Sequence, residues 1–416
     1  MLCLVSMSSL AQLSREDSIM AIRGKWKKDQ AVVGAHDAAL KQQHYPVVYK
    51  KIDSIASFFM QAYPVPTGME AKWYANIANP PLFAKAPTPY SFWSSYKYYY
   101  FNKNLQKIML GDETTTWAYV FVNSFNWLLR DSKHDLPTEG EKKRIWQLPR
   151  ILPGDWKGHQ VFEAFTHAPD ARAVVVTKRG RVPWKAVSQR QYLEAVRNTT
   201  EETYNKIVKD YDSGIERGRK AIEEIKTKKG IDADMKQRMA GVAQAQLDNS
   251  LSRRETMLGN ARKLRDKDLS TIDEYILNAS PEMLEKQAVL NLNKDFITFK
   301  KFEDPTAREA MSAVIIDQSY FDTTRPSYEP QFMVLYWRWN NNAPGQYFRQ
   351  QLENNFPLEK MQAMIREKAG GVAARPSFES GQDRRLDQGR KKSMGISIYL
   401  SRITRRTSWF TGRRRF

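Results

Sequence analysis

Residues 203–225 read TYNKIVKDYDSGIERGRKAIEEI, and they carry the clearest periodicity in the chain. Apolar or small side chains recur there at alternating spacings of four and three: Tyr204, Val208, Tyr211, Ile215, Gly218, Ile222 and Ile225. This spacing is typical of a helix that buries one seam against another helix. Lys228-Lys229-Gly230 predicts its end, and Asp232 or Asp234 can cap a second helix. Because a short loop favours antiparallel neighbours, we predict a long antiparallel helical hairpin, similar to a coiled coil, over residues 188–268.

The start of this hairpin is marked by Ser188, three residues before Gln191. That pair forms a capping box, in which each side chain bonds the backbone of the other residue. The preceding residues 144–187 contain two short apolar runs, 161–165 and 172–178, separated by a turn-rich connector. We interpret them as a short β-hairpin.

Residues 12–143 are predicted to form an aromatic-rich helical region. Val48, Ile52, Ile55 and Phe59 share one helix face, and the prolines after Tyr63 should end that helix. Two aromatic runs, 92–101 and 117–127, also show spacings compatible with helices. Rows of aromatic rings can stack on sugars or bases, but core packing is the favoured interpretation.

Residues 281–368 are predicted to form a small α+β unit. Residues 331–337 are apolar at every position but the first, as expected for a central strand covered on both faces. After Gly371 the composition changes to Arg, Ser and Gly, so residues 371–416 are predicted to be a disordered basic tail. An out-of-frame C terminus stays open as an explanation of that tail. The fold class expected overall is α+β and predominantly helical.

The first residues, MLCLVSMSSLAQ, predict a signal peptide over residues 1–11. Ser9 and Ala11 supply the small-x-small pattern that signal peptidase accepts, so cleavage would leave Gln12 at the N terminus. The apolar segment is short and lacks basic residues, so we expect the true start to lie upstream. The sequence thus predicts an exported protein, periplasmic or associated with the cell envelope. The single cysteine, Cys3, excludes a disulfide framework, and no apolar run is long enough for a transmembrane segment.

The formal net charge of the chain is +20. The tail contributes twelve Lys and Arg against three Asp and Glu, which is nearly half of that excess. Such a tail could bind nucleic acid or another anionic polymer through counterion release. Export makes nucleic acid an unfavoured partner and an anionic envelope surface the more natural one. Other partner classes left open are a second protein and self-association through the hairpin.

No catalytic signature is found: phosphate-binding loops, dinucleotide fingerprints, zinc-protease and serine-hydrolase motifs are all absent. Catalytic residues therefore stay unknown, and we predict neither a cofactor nor a metal ion. The turn before Ser188 places cations and an indole near a helix N terminus, where anions are attracted. The residues singled out there as ligand contacts are Arg179, Arg181, Trp184 and Lys185.

Three stretches resemble uncharacterised exported proteins of the Bacteroidota type. They are residues 9–12, residues 174–193, which contain VVVTKRGRVPW and SQRQYL, and residues 320–357, with YF, PQF and NFP. The resemblance covers about two-thirds of the chain and does not extend to the tail. It implies export but no activity, so no catalytic residue can be transferred.

We therefore expect a binding or structural component of the cell envelope without catalysis. The main alternative is an extracytoplasmic hydrolase that acts on glycans or peptides. A second alternative is binding of nucleic acid or an anionic polymer through the basic tail, which would require the signal peptide to be spurious.

Overall fold

The computed structural model describes residues 15–32, 42–77, 81–138, 141–163, 170–177, 181–291 and 299–365. All of them belong to one compact unit that ends at Ala374. The predicted signal peptide and the predicted tail lie outside the described residues. The strands are β1 (Trp26–Lys28), β2 (Met69–Asn76), β3 (Tyr90–Asn102), β4 (Lys107–Leu110), β5 (Thr116–Val122), β6 (Arg130–Thr138), β7 (Glu141–Pro149), β8 (Ile151–Trp156), β9 (His159–Glu163), β10 (Ala171–Val176), β11 (Trp184–Ala186), β12 (Val289–Asn291), β13 (Ala310–Ile316) and β14 (Met333–Arg338). The helices are α1 (Tyr45–Ala62), α2 (Gln189–Thr227), α3 (Ala233–Asn278), α4 (Pro281–Glu285), α5 (Ala343–Asn355) and α6 (Leu358–Ala363).

The centre of the fold is β14, which pairs antiparallel with β5 on one side and β10 on the other. The sheet around it has nine strands in the order β1-β2-β3-β5-β14-β10-β9-β8, with β4 paired to β3. A second sheet has five strands in the order β11-β13-β7-β6, with β12 paired to β13. The expectation of a predominantly helical protein is therefore wrong, because two large sheets organise the chain.

Alternation along β14 explains how the nine-stranded sheet is covered on both faces. Leu335 and Trp337 face a core formed with α1, α5 and α6. Val334 and Tyr336 face the other way, into a core shared with the five-stranded sheet. Since successive strand residues point to opposite faces, two cores require apolar residues at every position. The prediction of a covered central strand at 331–337 is confirmed.

The five-stranded sheet has its own second face. Leu136 on β6, Ile145 on β7 and Ala313 on β13 pack there against the first turns of α2, the last turns of α3, and α4. The described residues thus form four layers in sequence: helices, large sheet, small sheet, helices. The last layer is where the long hairpin is anchored.

The aromatic runs that were predicted as helices are the strands β3 and β5. Tyr90, Phe92 and Tyr96 on β3 point into the core beneath α1, whereas Trp93 points into the core between the sheets. The spacing of four between Phe92 and Tyr96 fits both an extended chain and a helix, and burial of both faces hid the period of two. The N-terminal region is thus mainly β, with α1 as its long helix.

Several local predictions are confirmed by the structure. Val48, Ile52, Ile55 and Phe59 are fully buried on α1, which ends at Ala62. The runs at 161–165 and 172–178 overlap β9 and β10, which pair antiparallel. Ser188 caps α2 and forms the capping box with Gln191.

The helices α2 and α3 are joined by residues 228–232 and run antiparallel. Asp232 caps α3 by accepting from the Met235 amide. Contacts between Arg197 and Asp273 near the root, and between Arg254 and Asp212 (2.8 Å) farther out, show the opposite chain directions. We call residues 204–264 the arm. Its buried cluster contains hairpin residues alone, Ile215, Ile222 and Leu247, with Ala243 packed against them.

Membrane insertion through a helix finds no support in the described residues. The long helices α2 and α3 are too polar, and none of the other described helices combines the necessary length and apolar character.

Candidate functional site

The turn singled out from the sequence is partly described. Arg179 lies outside the described residues. The Arg181 guanidinium lies 5.6 Å from the centre of the Tyr320 ring, and the Lys185 ammonium pairs with Asp317 at 3.1 Å. The structure therefore brings Arg181 and Lys185 to one short segment, residues 317–320.

Trp184 in the same turn serves packing. Its ring makes edge contacts with Phe125 (6.0 Å) and Phe162 (6.2 Å) and covers the core between the sheets. Because Trp184 and Lys185 are neighbours on β11, their side chains point to opposite faces. The three described residues, Arg181, Trp184 and Lys185, thus do not converge around a shared ligand position.

The aromatic runs contribute mainly to the cores, as expected from the favoured interpretation. Tyr119 packs against Trp93 at 4.5 Å between ring centres and stacks on Tyr336 at 5.7 Å. Trp127 is the exposed neighbour of this cluster, with 37% of its surface accessible and a backbone φ of 62°.

A cavity of about 340 Å³ lies at the root of the arm, between β6, α2 and α3. This volume is within the range of small ligand sites. Its lining combines threonines, aliphatic side chains and charged groups. The lining residues are Lys133, His134, Thr199, Thr200, Thr203, Tyr204, Ile207, Ala261, Leu264, Arg265 and Asp268.

A bulge in β6 positions two of these residues. The pairing of β6 with β7 shifts register between Asp131 and Asp135. Within the bulge Lys133 has a φ of 69°, and its amide donates to the Asp131 carboxylate at 2.8 Å. The backbone of His134 donates to Ser132 Oγ at 3.2 Å. The bulge re-aims the side chains of Lys133 and His134 toward the cavity, as bulges commonly do near binding sites.

The His134 ring is 4% exposed and meets the Tyr192 ring edge-on at 5.6 Å. Its Nδ1 is buried without a hydrogen-bond partner among the described residues. Burial lowers the pKa of His134 to about 4, so the imidazole is neutral at pH 7. Burial also raises the pKa of the Asp268 carboxyl.

Two further polar groups of the cavity are already engaged. The Arg265 guanidinium pairs with Asp266 at 2.7 Å and lies 4.4 Å from the centre of the Tyr204 ring. The Thr199 hydroxyl donates to the Ala195 carbonyl at 2.9 Å. This arrangement suits a site that binds an apolar group beside fixed charges. Among the residues with assigned positions, no three His, Cys, Asp or Glu side chains gather as metal ligands.

One side of α3 exposes large apolar side chains toward both ends of the arm, separated by Gln246 and Arg253. We call this set the apolar flank; the accessible fractions are 52% for Met235, 39% for Met239, 61% for Val242, 48% for Met257 and 56% for Leu264. At 100° per residue these five lie within about 60° of one another around the helix. Leu264 also lines the cavity, so the apolar flank and the cavity lie on the same side of the arm.

Sequence reasoning missed both features. His134 and Arg265 lie far apart in the sequence. They come together only because α2 and α3 pack on β6. The apolar flank did leave a signal: the apolar residues of α3 fall on two faces, one buried and one exposed, which is why they follow a less regular seam than those of α2.

Comparison of the chain with protein-family models, curated proteins and solved structures finds no match in any of the three.

Proposed function

We propose that this protein is a non-catalytic binding component of the cell envelope and that the arm is the part that binds. The observation that carries the proposal is the apolar flank. Soluble surfaces rarely keep a row of large apolar side chains in water unless a partner covers it. The placement in the envelope rests on the cleavage pattern of residues 9–12 in the sequence.

The construction of the arm supports binding. The first turns of α2 are fixed by Tyr192, Leu193 and Val196, which are buried against the small sheet. Beyond them the arm carries its own thin core, so both of its long sides are available to other molecules. At 1.5 Å per residue, the span from Met235 to Leu264 is about 44 Å.

Site-specific photo-crosslinking in the native host tests this function. A photoreactive amino acid replaces Val242 on the apolar flank of the full-length chain. The matched control replaces Glu255, whose side chain is 84% exposed and lies on the opposite side of α3. We expect a covalent adduct from position 242 and none from position 255. Equal labelling, or no adduct at 242, would contradict the proposal, and N-terminal sequencing beginning at Gln12 would support export.

A further inference from the structure

We propose that the apolar flank binds the same flank of a second copy of this chain, so that two arms form an antiparallel four-helix bundle. This inference rests on the proposed function, since it names the partner of the arm. Its basis is a symmetry in the spacing of the flank residues together with the direction in which the flank points.

The flank residues are self-complementary in reverse order. Met235 and Leu264 lie equally far from a point midway between Asn249 and Ser250, and so do Val242 and Met257. Gln246 and Arg253 occupy corresponding positions closer to that midpoint. Two antiparallel copies related by a two-fold axis at this midpoint would place Met235 against Leu264, and Val242 against Met257. Four of the five flank residues then meet another apolar side chain, whereas Met239 lies opposite Asn260.

The direction of the flank fits a bundle. The side of α3 that faces α2 is defined by the buried residues Leu247 and Leu258. At 100° per residue, the flank is rotated by about 115° from that side. In a four-helix bundle each helix contacts two neighbours roughly at right angles, and α3 already has one of them.

The face of α2 on the same side of the arm carries small and apolar side chains, so α2 of the second copy can approach it closely. Ile207 lines the cavity with Leu264, and Gly214, Ala221 and Ile225 follow it on the same helix face. The midpoint of the α3 flank lies level with residue 216 of α2, because Arg254 pairs with Asp212 there. Ile207 and Ile225 are equally far from that level, so they too would meet in the pair.

Charge supports the antiparallel direction at the outer edge of the flank. Asp234 precedes Met235 and Lys263 precedes Leu264, so both project from the same edge of α3. The two-fold axis brings this edge of α3 in one copy against the same edge of α3 in the other copy. Asp234 of one copy therefore approaches Lys263 of the other. On the other edge, Lys236 would approach Arg265, but Arg265 is already balanced by Asp266.

The cavity takes part in this pairing. Its α3 residues, Ala261 to Asp268, stand level with the turn before Met235 in the second copy. Ile231 and Met235 of that copy would therefore enter the cavity. The site next to the buried His134 is thus filled by the tip of the other arm.

The buried area is sufficient for a stable dimer. A flank about 44 Å long and two helices wide, or about 20 Å, presents roughly 900 Å² on each copy. Stable protein interfaces bury about 800 Å² per partner.

Disulfide trapping with the full-length chain tests the register. In a Cys3→Ser background, the double variant Val242→Cys/Met257→Cys should form a covalent dimer on oxidation. Each single variant should remain uncrosslinked, because equivalent residues 242 are about 22 Å apart in the antiparallel pair, far beyond disulfide reach. Crosslinking by Val242→Cys alone would indicate a parallel arrangement and overturn the inference.

Sedimentation equilibrium of the unmodified chain supplies the second readout. We expect about twice the chain mass of 48.3 kDa. Val242→Glu should return it to a monomer with an unchanged circular dichroism spectrum, because residue 242 is exposed within one copy. A monomer at 100 µM would overturn the inference. If the chain is a monomer but position 242 still forms photo-adducts with a different protein, the dimer is refuted and the proposed binding function stands. If those photo-adducts are also absent, both proposals are refuted.

Discussion

The buried His134 should make the protein less stable as the pH falls, and the size of the effect follows from its surroundings. Desolvation lowers its pKa from 6.5 to about 4, with Asp135, Arg144 and Asp131 acting as nearby charges. The folded protein therefore binds this proton less tightly than the unfolded chain does. The contribution of the neutral, buried His134 to the free energy of unfolding is therefore fully present above pH 6.5. It is lost as the pH falls toward 4.

The expected loss of stability follows from the difference of about 2.5 units between the pKa of His134 in the unfolded chain and in the folded protein. One unit corresponds to about 1.36 kcal/mol, so the limit is about 3.4 kcal/mol, of which about 3 kcal/mol is lost by pH 4. Between those pH values the unfolding free energy contributed by His134 should change by roughly 1.4 kcal/mol per pH unit.

Urea unfolding at pH 7, 6, 5 and 4 measures this contribution when the unmodified chain is compared with His134→Gln. Other titrating groups remain in both proteins, so they cancel in the difference between the two unfolding free energies. We expect that difference to shift by about 3 kcal/mol, in the direction that favours the variant at low pH. His134→Phe should show the same shift. A difference that stays constant with pH would refute the assigned burial.

Two further predictions concern backbone positions. Asn123 has a φ of 53°, and its side chain donates to the Glu329 carbonyl at 3.0 Å and accepts from the Gln331 amide at 2.8 Å. Asn123→Ala should lower the free energy of unfolding in urea by about 3 kcal/mol. Asn123→Gly should lower it by about 1 kcal/mol less, because glycine tolerates that φ. A Cβ on Gly345 would lie 2.1 Å from the Asn340 carbonyl oxygen, so Gly345→Ala should lower the melting temperature by several degrees, at a cost of about 2–3 kcal/mol. Gly241→Ala, with nothing within 4 Å, should instead raise stability by about 0.5–1 kcal/mol. Equal melting temperatures for Gly345→Ala and Gly241→Ala would contradict the predicted difference between these two positions.

The sequence was most informative where a local signal and the packing agree. The capping box of Ser188, the buried face of α1 and the doubly covered β14 depend on residues close together in the chain. In β3 and β5 the local signal is ambiguous, because both faces are buried and no polar face marks the period. The choice between helix and strand is made there by pairing with distant strands.

The candidate site was less predictable than the fold. His134 carries no motif, and its environment is created by Tyr192 and by the bulge that begins at Asp131. The turn at residues 179–185 attracted attention through its charges, yet Lys185 is paired with Asp317 and Trp184 is part of a core. Composition identifies charged groups, whereas their neutralisation depends on the fold.

The position of β14 has a consequence for how the chain matures. This strand occupies the middle of the large sheet but is the last of the described strands to be synthesised, and its partners on β5 and β10 lie roughly 220 and 165 residues earlier. Until the ribosome has produced residue 338, both partners have unsatisfied edges that can pair with other nascent chains. The arm, by contrast, has a core made of hairpin residues alone, and all of its residues precede β14 in the chain. Late closure of the sheet therefore lengthens the time for which these edges are open to pairing between nascent chains.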